Sequence, residues 1–346
     1  MGLSCYAEGL SAMRVNSALS TQHSALWNER GVALVVVLWI FVFLFVVAFD
    51  FSASVREDAF TAHRYAQESE GYYLALAGFE RGLYELLRQF SQPQQAGLSQ
   101  ATGVFDGAWR EEGYGDGSYG LRFIDEAGKV NFNRANEETL RRIFTNLGIE
   151  ESRRNVLVDS ILDWIDEDDL HRASGAESDY YLSLSPPYTA KNGPFDTVEE
   201  LLWVRGVTPD LFYGAEGEVG LRDIFTVDSP IDRINLRTAS AEVIHALVGL
   251  PLEKSRAFVE ERKQLSESTI ADLLKLLGIA AGDAALRQFV FVNPTVVTIE
   301  ATGAAKDGSP RRQVRGVIRL TAGQQGYQLA RWIDRDMIQG EVQNAK

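Results

Sequence analysis

Arg30-Gly31-Val32-Ala-Leu-Val-Val-Val-Leu-Trp-Ile-Phe-Val-Phe-Leu-Phe-Val-Val-Ala-Phe49-Asp50 is the stretch on which the reading of this chain turns. Val32 to Phe49 is an unbroken apolar run. As a helix it rises about 27 Å, close to the hydrocarbon thickness of a bilayer. A secretory signal peptide has a shorter apolar core with a small-x-small cleavage sequence behind it. Here Asp50, Phe51, Ser52 and a charged helical pattern follow, so the run is expected to remain as an anchor. The helix is expected to continue well past it, because no proline occurs from Val32 to Phe90 and the first comes in Ser91-Gln92-Pro93, a helix-ending sequence. Tyr72, Leu76, Phe79, Leu83, Leu86 and Phe90 recur at spacings of three and four, which puts them on one packed face. Gly71, Gly78 and Gly82 lower the intrinsic stability of that half, so tertiary packing must hold it.

Composition narrows the class. The 346 residues are 45% hydrophobic and 24% charged, enough for a membrane segment and two modest domains. A net charge of -14 repels phosphate backbones and argues against a nucleic-acid partner. The only cysteine is Cys5, so neither a disulfide framework nor thiolate chemistry is available in the body of the chain. The first 31 residues set Arg14 and Arg30 against Glu8 and Glu29, a thin positive-inside signal; a start at Met13 would leave a net positive leader. Orientation is read with the N-terminus in the cytoplasm and the bulk outside it.

Beyond the long helix, Ser118-Tyr-Gly-Leu-Arg-Phe-Ile-Asp125 alternates as a strand after a Gly-rich turn. Matching strands resume only near the end, at Phe289 to Glu300, Arg312 to Leu320 and Tyr327 to Asp334. The economical architecture is an α+β fold: a long N-terminal helix on an antiparallel sheet, with a large helical domain inserted between the first and later strands.

The insertion carries an internal repeat. Val130-Asn-Phe-Asn-Arg-Ala-Asn-Glu-Glu-Thr-Leu140 aligns with Ile234-Asn-Leu-Arg-Thr-Ala-Ser-Ala-Glu-Val-Ile244, and each leads to a glycine turn, Leu147-Gly148-Ile149 and Val248-Gly249-Leu250. Asn136 and Ser240 are the natural N-caps. Thr197 to Gly206 and Thr269 to Gly278 form a second aligned pair, which gives two tandem helical units. Each resembles a helix-hairpin-helix, a module that grips DNA phosphates through backbone amides. The sequence breaks that chemistry: Glu150 and Glu151 follow the first turn, and Pro251 removes an N–H donor after the second.

An acidic stretch follows the first hairpin: Asp163-Trp-Ile-Asp166-Glu167-Asp168-Asp169, then Gly175-Ala-Glu177-Ser-Asp179. Carboxylates at this density repel unless they are spread in water or bridged by a cation, and calcium takes six to eight oxygens in flexible geometry. The order is not that of an EF-hand. A solvated loop and a calcium site both fit this composition. Four histidines, His23, His63, His171 and His245, lie in no recognisable nucleophile or metal motif, so no enzyme is indicated.

The junction Arg30-Gly31-Val32 resembles the leader-peptidase site of type IV pilins and pseudopilins, where the cut falls after the glycine and leaves Val32 first and methylated. Together with Tyr72-Tyr73-Leu-Ala-Leu-Ala-Gly-Phe-Glu-Arg81, Asp125-Glu-Ala-Gly-Lys-Val-Asn-Phe-Asn133, the acidic loop, Gly175-Ala-Glu177 and Asn192-Gly-Pro-Phe-Asp-Thr-Val-Glu-Glu-Leu201, the chain is similar to the K-type minor pseudopilins of the bacterial type II secretion system. That resemblance implies a pilin-like body with an inserted helical domain, at the tip of the periplasmic pseudopilus beside other minor pseudopilins. It further implies processing by the prepilin leader peptidase, contact with the inner-membrane assembly platform and contact with exported cargo. It also implies a structural calcium ion, for which Asp166, Asp168, Glu177 and Asp179 are the expected ligands, with Asp163 and Asp169 as neighbours or alternates. The expected division is leader 1–31, membrane part of the helix 32–49, stem and first strands 50–128, insertion 129–288 in repeats of about 129–214 and 233–288, and final strands 289–346. The expected place is the inner membrane, single-pass, with a periplasmic bulk. Most pilins carry a glutamate at the fifth mature position to pair with the amine of the preceding subunit; here that position is Val36, which fits a subunit with nothing above it. The alternative is a membrane-anchored, hairpin-bearing DNA receptor of competence type.

Overall fold

The computed structural model describes residues 29–91, 104–105, 107–215, 217–264, 270–278, 287–306, 311–321 and 326–336. Most of the expected leader, with Cys5 and Met13, lies outside the described residues, as does Pro93. The chain divides into two compact units, residues 1–62 and 63–346. Helix α1 (Glu29–Ser91) contributes to both. In the first unit every side chain from Val32 to Phe49 is exposed, and this is the helix long and apolar enough to cross a membrane.

After α1 the second unit begins with β1 (Arg110–Tyr114), β2 (Gly117–Asp125) and β3 (Val130–Asn131). It continues with α2 (Glu137–Asn146), α3 (Glu151–Ile165), α4 (Ser178–Leu182), a 3-10 helix at Val198–Trp203, α5 (Pro209–Tyr213), α6 (Leu221–Ile224) and β4 (Phe225–Thr226). Then come β5 (Ile234–Asn235), α7 (Ala241–Val248), α8 (Leu252–Gln264), α9 (Ile270–Leu276) and β6 (Phe289–Val290). The chain closes with β7 (Val296–Ala304), β8 (Arg312–Leu320) and β9 (Tyr327–Asp336).

One sheet, ordered β1-β2-β7-β8-β9 and antiparallel throughout, packs on the C-terminal part of α1. Alternation divides its side chains: Leu121 and Phe123 of β2, Val297, Ile299 and Ala301 of β7, and Val314 and Ile318 of β8 join Leu74, Ala75, Phe79, Leu83 and Leu86 of α1 in one core. The helix face is rotated from the expected one. Tyr72 and Leu76 are only half-buried and Phe90 is exposed, whereas Gly71, Gly78 and Gly82 are buried. Gly78 and Gly82 are contact residues: a Cβ on Gly78 would lie 2.9 Å from the Tyr119 ring, and one on Gly82 would lie 3.1 Å from Ile299. Their absent side chains are what bring helix and sheet together, which outweighs their poor helix propensity. β1 is a strand that the sequence pattern does not announce, since Glu111 and Glu112 replace apolar alternation on an exposed edge.

The helical insertion leaves the sheet at Asp125 and returns at Val296, and Asp125 pairs with Val297, so it enters and leaves at one end of adjacent strands. Along α1 this is the C-terminal end, because Gly117 and Gly303 meet residues 71–75 while Phe123 and Ile299 meet Gly82. Each repeat is closed by a short parallel pairing: Val130 with Phe225 and Asn131 with Thr226 in the first, Ile234 with Phe289 and Asn235 with Val290 in the second. The pairing of the first repeat therefore reaches Thr226, beyond the expected 214, and Phe289–Val290 pairs within the insertion. Pro294, which has no N–H, lies in the break between β6 and β7, splitting a run that reads as one strand. Asn136 accepts the Thr139 amide at 2.9 Å and Ser240 the Val243 amide at 3.3 Å, as N-caps. Gly148 (φ +74°) and Gly249 (φ +77°) take the left-handed conformation at the two turns, where a Cβ would be strained. The repeats share one core, running from Val130 and Phe132 to Leu274 and Phe289.

Asp125-Glu126 fastens this domain to the sheet. Buried Asp125 accepts from the Ala127 amide (3.0 Å), Asn235 Nδ2 (2.8 Å) and the Thr238 hydroxyl (2.7 Å). Glu126 accepts the hydroxyls of Thr226 and Thr298, one from the insertion and one from β7. Asn133 exchanges two hydrogen bonds with the Phe195 backbone, at 2.9 and 2.7 Å. The polar residues of Asp125 to Asn133 are thus structural connectors.

Candidate metal centre

The acidic loop starts where α3 ends. Asp166 is the C-cap, its amide bonded to the Leu162 carbonyl at 3.1 Å. Asp163, in the last turn of α3, is fully buried and accepts both the Arg172 amide (3.1 Å to Oδ2) and the Arg172 Nη1 (2.6 Å to Oδ1). Asp159, one turn earlier, accepts the Ser174 amide at 3.0 Å. These bonds fold residues 172–175 back over the helix end. They also explain Gly175: a Cβ there would stand 1.9 Å from Asp163 Oδ2. Ala176 is buried behind it, and the chain then delivers Glu177 into the loop.

Asp166, Asp168 and Glu177 each place a ligand-type oxygen within 4.8 Å of the others. Glu177 is 2% exposed, and neither carboxylate oxygen has a hydrogen-bond partner; Asp166 Oδ1 and Asn192 Oδ1 are also buried without one. Burial pushes the Glu177 carboxyl up to about 7, reinforced by the charges of Asp163, Asp166, Asp169 and Asp168. A cluster of acceptor oxygens without donors is costly alone and suits a hard cation that takes oxygen ligands. The residues present fit calcium.

The other expected ligands behave differently. Asp179 lies outside the group of three, and its carboxylate accepts the Tyr180 amide at 2.7 Å in the first turn of α4. Asp163 is spent on the Arg172 loop, and Asp169 accepts Asn192 Nδ2 at 3.0 Å. The same Asn192 nitrogen lies 3.3 Å from the Asp168 carbonyl, so Asn192, at φ +47°, belongs to this site. Asn192-Gly193 marks a turn in sequence, but nothing local places it against a loop more than twenty residues upstream. Arg172 is likewise invisible as a site residue until the loop folds.

The hairpin turn next to α3 has no vacancy for a phosphate. Glu150 caps α3, accepting the amides of Ser152 (3.1 Å) and Arg153 (3.4 Å) and the Ser152 hydroxyl. The donors that would meet DNA are thus taken by a carboxylate of this chain.

A family model described as type II secretion system protein K matches residues 121–216, from β2 through the acidic loop to α5. Among curated proteins, the type II secretion system protein K of Klebsiella pneumoniae is 25% identical over 84% of this chain and 92% of its own length. The chain is thus similar to type II secretion system protein K over most of its length. The protein K of Pectobacterium carotovorum is 36% identical over 75 residues, which span 22% of this chain and 23% of that relative. That of Aeromonas hydrophila is 32% identical over 34% of each. Among solved structures, a chain of the GspK-GspI-GspJ complex from enterotoxigenic Escherichia coli aligns with a TM-score of 0.53 and 16% identity, over 75% of this chain and 99% of that one, a likeness of fold. None of these relationships supports the DNA-receptor alternative.

Proposed function

We propose that this chain is a protein K of the type II secretion system, the minor pseudopilin at the tip of the pseudopilus, where it initiates or caps assembly for export across the outer membrane. The observation that carries the position is the insertion: a helical domain set between adjacent strands at the C-terminal end of α1 stands in the way of another subunit stacking there. Val36 agrees, since it offers no carboxylate to a preceding subunit's amine. The solved relative was found in a complex named for GspI and GspJ, so the partners here are two further minor pseudopilins. The role is structural and not catalytic. The exposed apolar part of α1 lies in the inner membrane, with the bulk periplasmic; the leader peptidase cuts after Gly31 and Val32 is methylated, and the assembly platform and exported cargo are further contacts. N-terminal sequencing of the protein from membranes of cells with and without that peptidase tests this. A methylated Val32 start only in its presence is expected; an intact leader in both strains rejects the reading.

The acidic loop in this reading holds a structural calcium ion through Asp166, Asp168, Glu177 and Asn192, with Asp163 as the anchor of the loop and Asp169 and Asp179 outside the first set. At calcium a hundredfold above the dissociation constant, native-state binding contributes about 2.7 kcal/mol. For a chain of this size that is a rise of about 5 °C in melting temperature. Asp168→Ala and Glu177→Ala should each abolish the shift. Glu177→Ala should leave the calcium-free protein at least as stable as the parent, because it removes a buried carboxylate with no donors. A parent melting curve indifferent to calcium removes the site.

A further inference from the structure

We infer that Arg172 is a counter-cation built into the acidic loop: it holds Asp166 when no metal is bound and competes with calcium for it, so that it sets the calcium concentration at which the loop loads. This rests on the calcium reading of the preceding subsection. One guanidinium nitrogen, Nη1, sits 2.6 Å from Asp163 Oδ1 and 2.6 Å from Asp166 Oδ2. Asp166 therefore gives one oxygen to arginine and keeps the other, Oδ1, buried and without a donor. A divalent ion bound at Asp166, Asp168 and Glu177 would share that carboxylate with a fixed positive charge, and the two cations repel. The Arg172 side chain can yield, since 38% of it is exposed, whereas that of Asp163 is 0% exposed.

The backbone and side chain of Arg172 do separate work. Its amide donates to Asp163 whatever the guanidinium does, so the fold of residues 172–175 survives release of the side chain. Glu177 supplies the second, independent pointer to a ligand: both its oxygens are buried beside this cluster and accept nothing. A purely supporting arginine would make Asp166 a better ligand by orienting it. A competing arginine makes calcium binding weaker than the carboxylates alone would allow. The two roles predict opposite signs.

Calcium chloride titration calorimetry on the full chain in detergent distinguishes them. Arg172→Gln should tighten calcium binding by about tenfold, the worth of one charge-assisted hydrogen bond. The same variant should melt lower than the parent when calcium is absent, because the acidic residues lose their internal cation. Arg172→Lys, which keeps the charge, should stay within about threefold of the parent. Equal or weaker binding by Arg172→Gln overturns the competition and makes Arg172 a ligand-orienting group. Should Arg172→Gln fail to fold, 13Cζ labelling of arginine in the parent gives the answer: the Arg172 signal, assigned with Arg172→Lys, should move as calcium binds, and a signal unmoved at saturation overturns the proposal. Absence of calcium binding by the parent instead overturns the calcium reading itself, and the competition with it.

Discussion

Gly303→Ala should cost about 3 kcal/mol or more, the upper range of overpacking a filled interior with a single methyl group. Gly303 lies in β7, paired with Tyr119 of β2 on one side and Arg312 of β8 on the other, so the strand has no free edge toward which to shift. A Cβ at this position would stand 2.2 Å from the Gly71 carbonyl oxygen, 2.3 Å from the Ala75 nitrogen and 2.8 Å from the Leu74 carbonyl carbon. All three are main-chain atoms of α1, and no rotamer change relieves them. The helix must lift from the sheet, loosening the packing of Phe79 and Leu83. Gly113→Ala is the matched control, because nothing lies within 4 Å of a Cβ there; its effect should stay within about 0.5 kcal/mol. Denaturant midpoints of the full chain in detergent provide the comparison. Equal midpoints for the two variants would refute the close helix-sheet approach.

That contact marks the boundary of what the chain discloses in one dimension. The length of α1 is legible, since a proline-free run with a strong apolar third has no competing reading. Its packed face is only partly legible: apolar spacing selects Phe79, Leu83 and Leu86 but passes over Gly71, Gly78 and Gly82, because a glycine signals contact only when the opposing backbone is known. The repeats of the insertion are legible through their caps and turn glycines, which are local features, whereas the closing strands at Phe225–Thr226 and Phe289–Val290 are two residues long and carry no period. In the acidic loop, density marks the carboxylates from Asp163 to Asp179 only as a group; the family resemblance suggests ligands among them, and the fold is what brings Asp166, Asp168 and Glu177 together. Asp163 reads there as one more carboxylate; only the fold shows it bound by Arg172 and sealed under Gly175. Asn192 comes from a separate segment, and no local rule predicts its approach.

Glu300→Ala should destabilise the protein by about 3 kcal/mol, the lower end of what removing one partner from a buried ion pair costs. Glu300 is the centre of a cross-strand triad: it pairs in register with Arg122 on β2 and Arg315 on β8, all on the sheet face away from α1. Arg122 Nε donates at 2.7 Å and Arg315 Nε at 2.5 Å, and Arg315 also approaches Glu199 of the insertion at 3.9 Å. Glu300 is fully buried, but the arginine side chains remain 32% and 26% exposed, so both can recover some hydration when the carboxylate is gone. This is why the lower figure applies. Burial by itself would raise the Glu300 pKa; Arg315 and Arg122 outweigh it and hold the carboxyl well below the usual range. A depressed folded-state pKa contributes stability that is present above the unfolded value of about 4.3 and lost as pH falls below it. The gap between parent and Glu300→Ala should therefore be full at pH 7 and narrow steadily below about pH 4. Asp125 acts with the opposite sign: burial pushes it up to about 6, so its protonated form favours the fold and stability declines as pH rises from about 3.9 toward that value. Asp125→Asn should flatten that decline and leave the acid limb in place. A parent-to-Glu300→Ala difference independent of pH down to about 2 would mean that the lost stability comes from packing and not from the ionised triad.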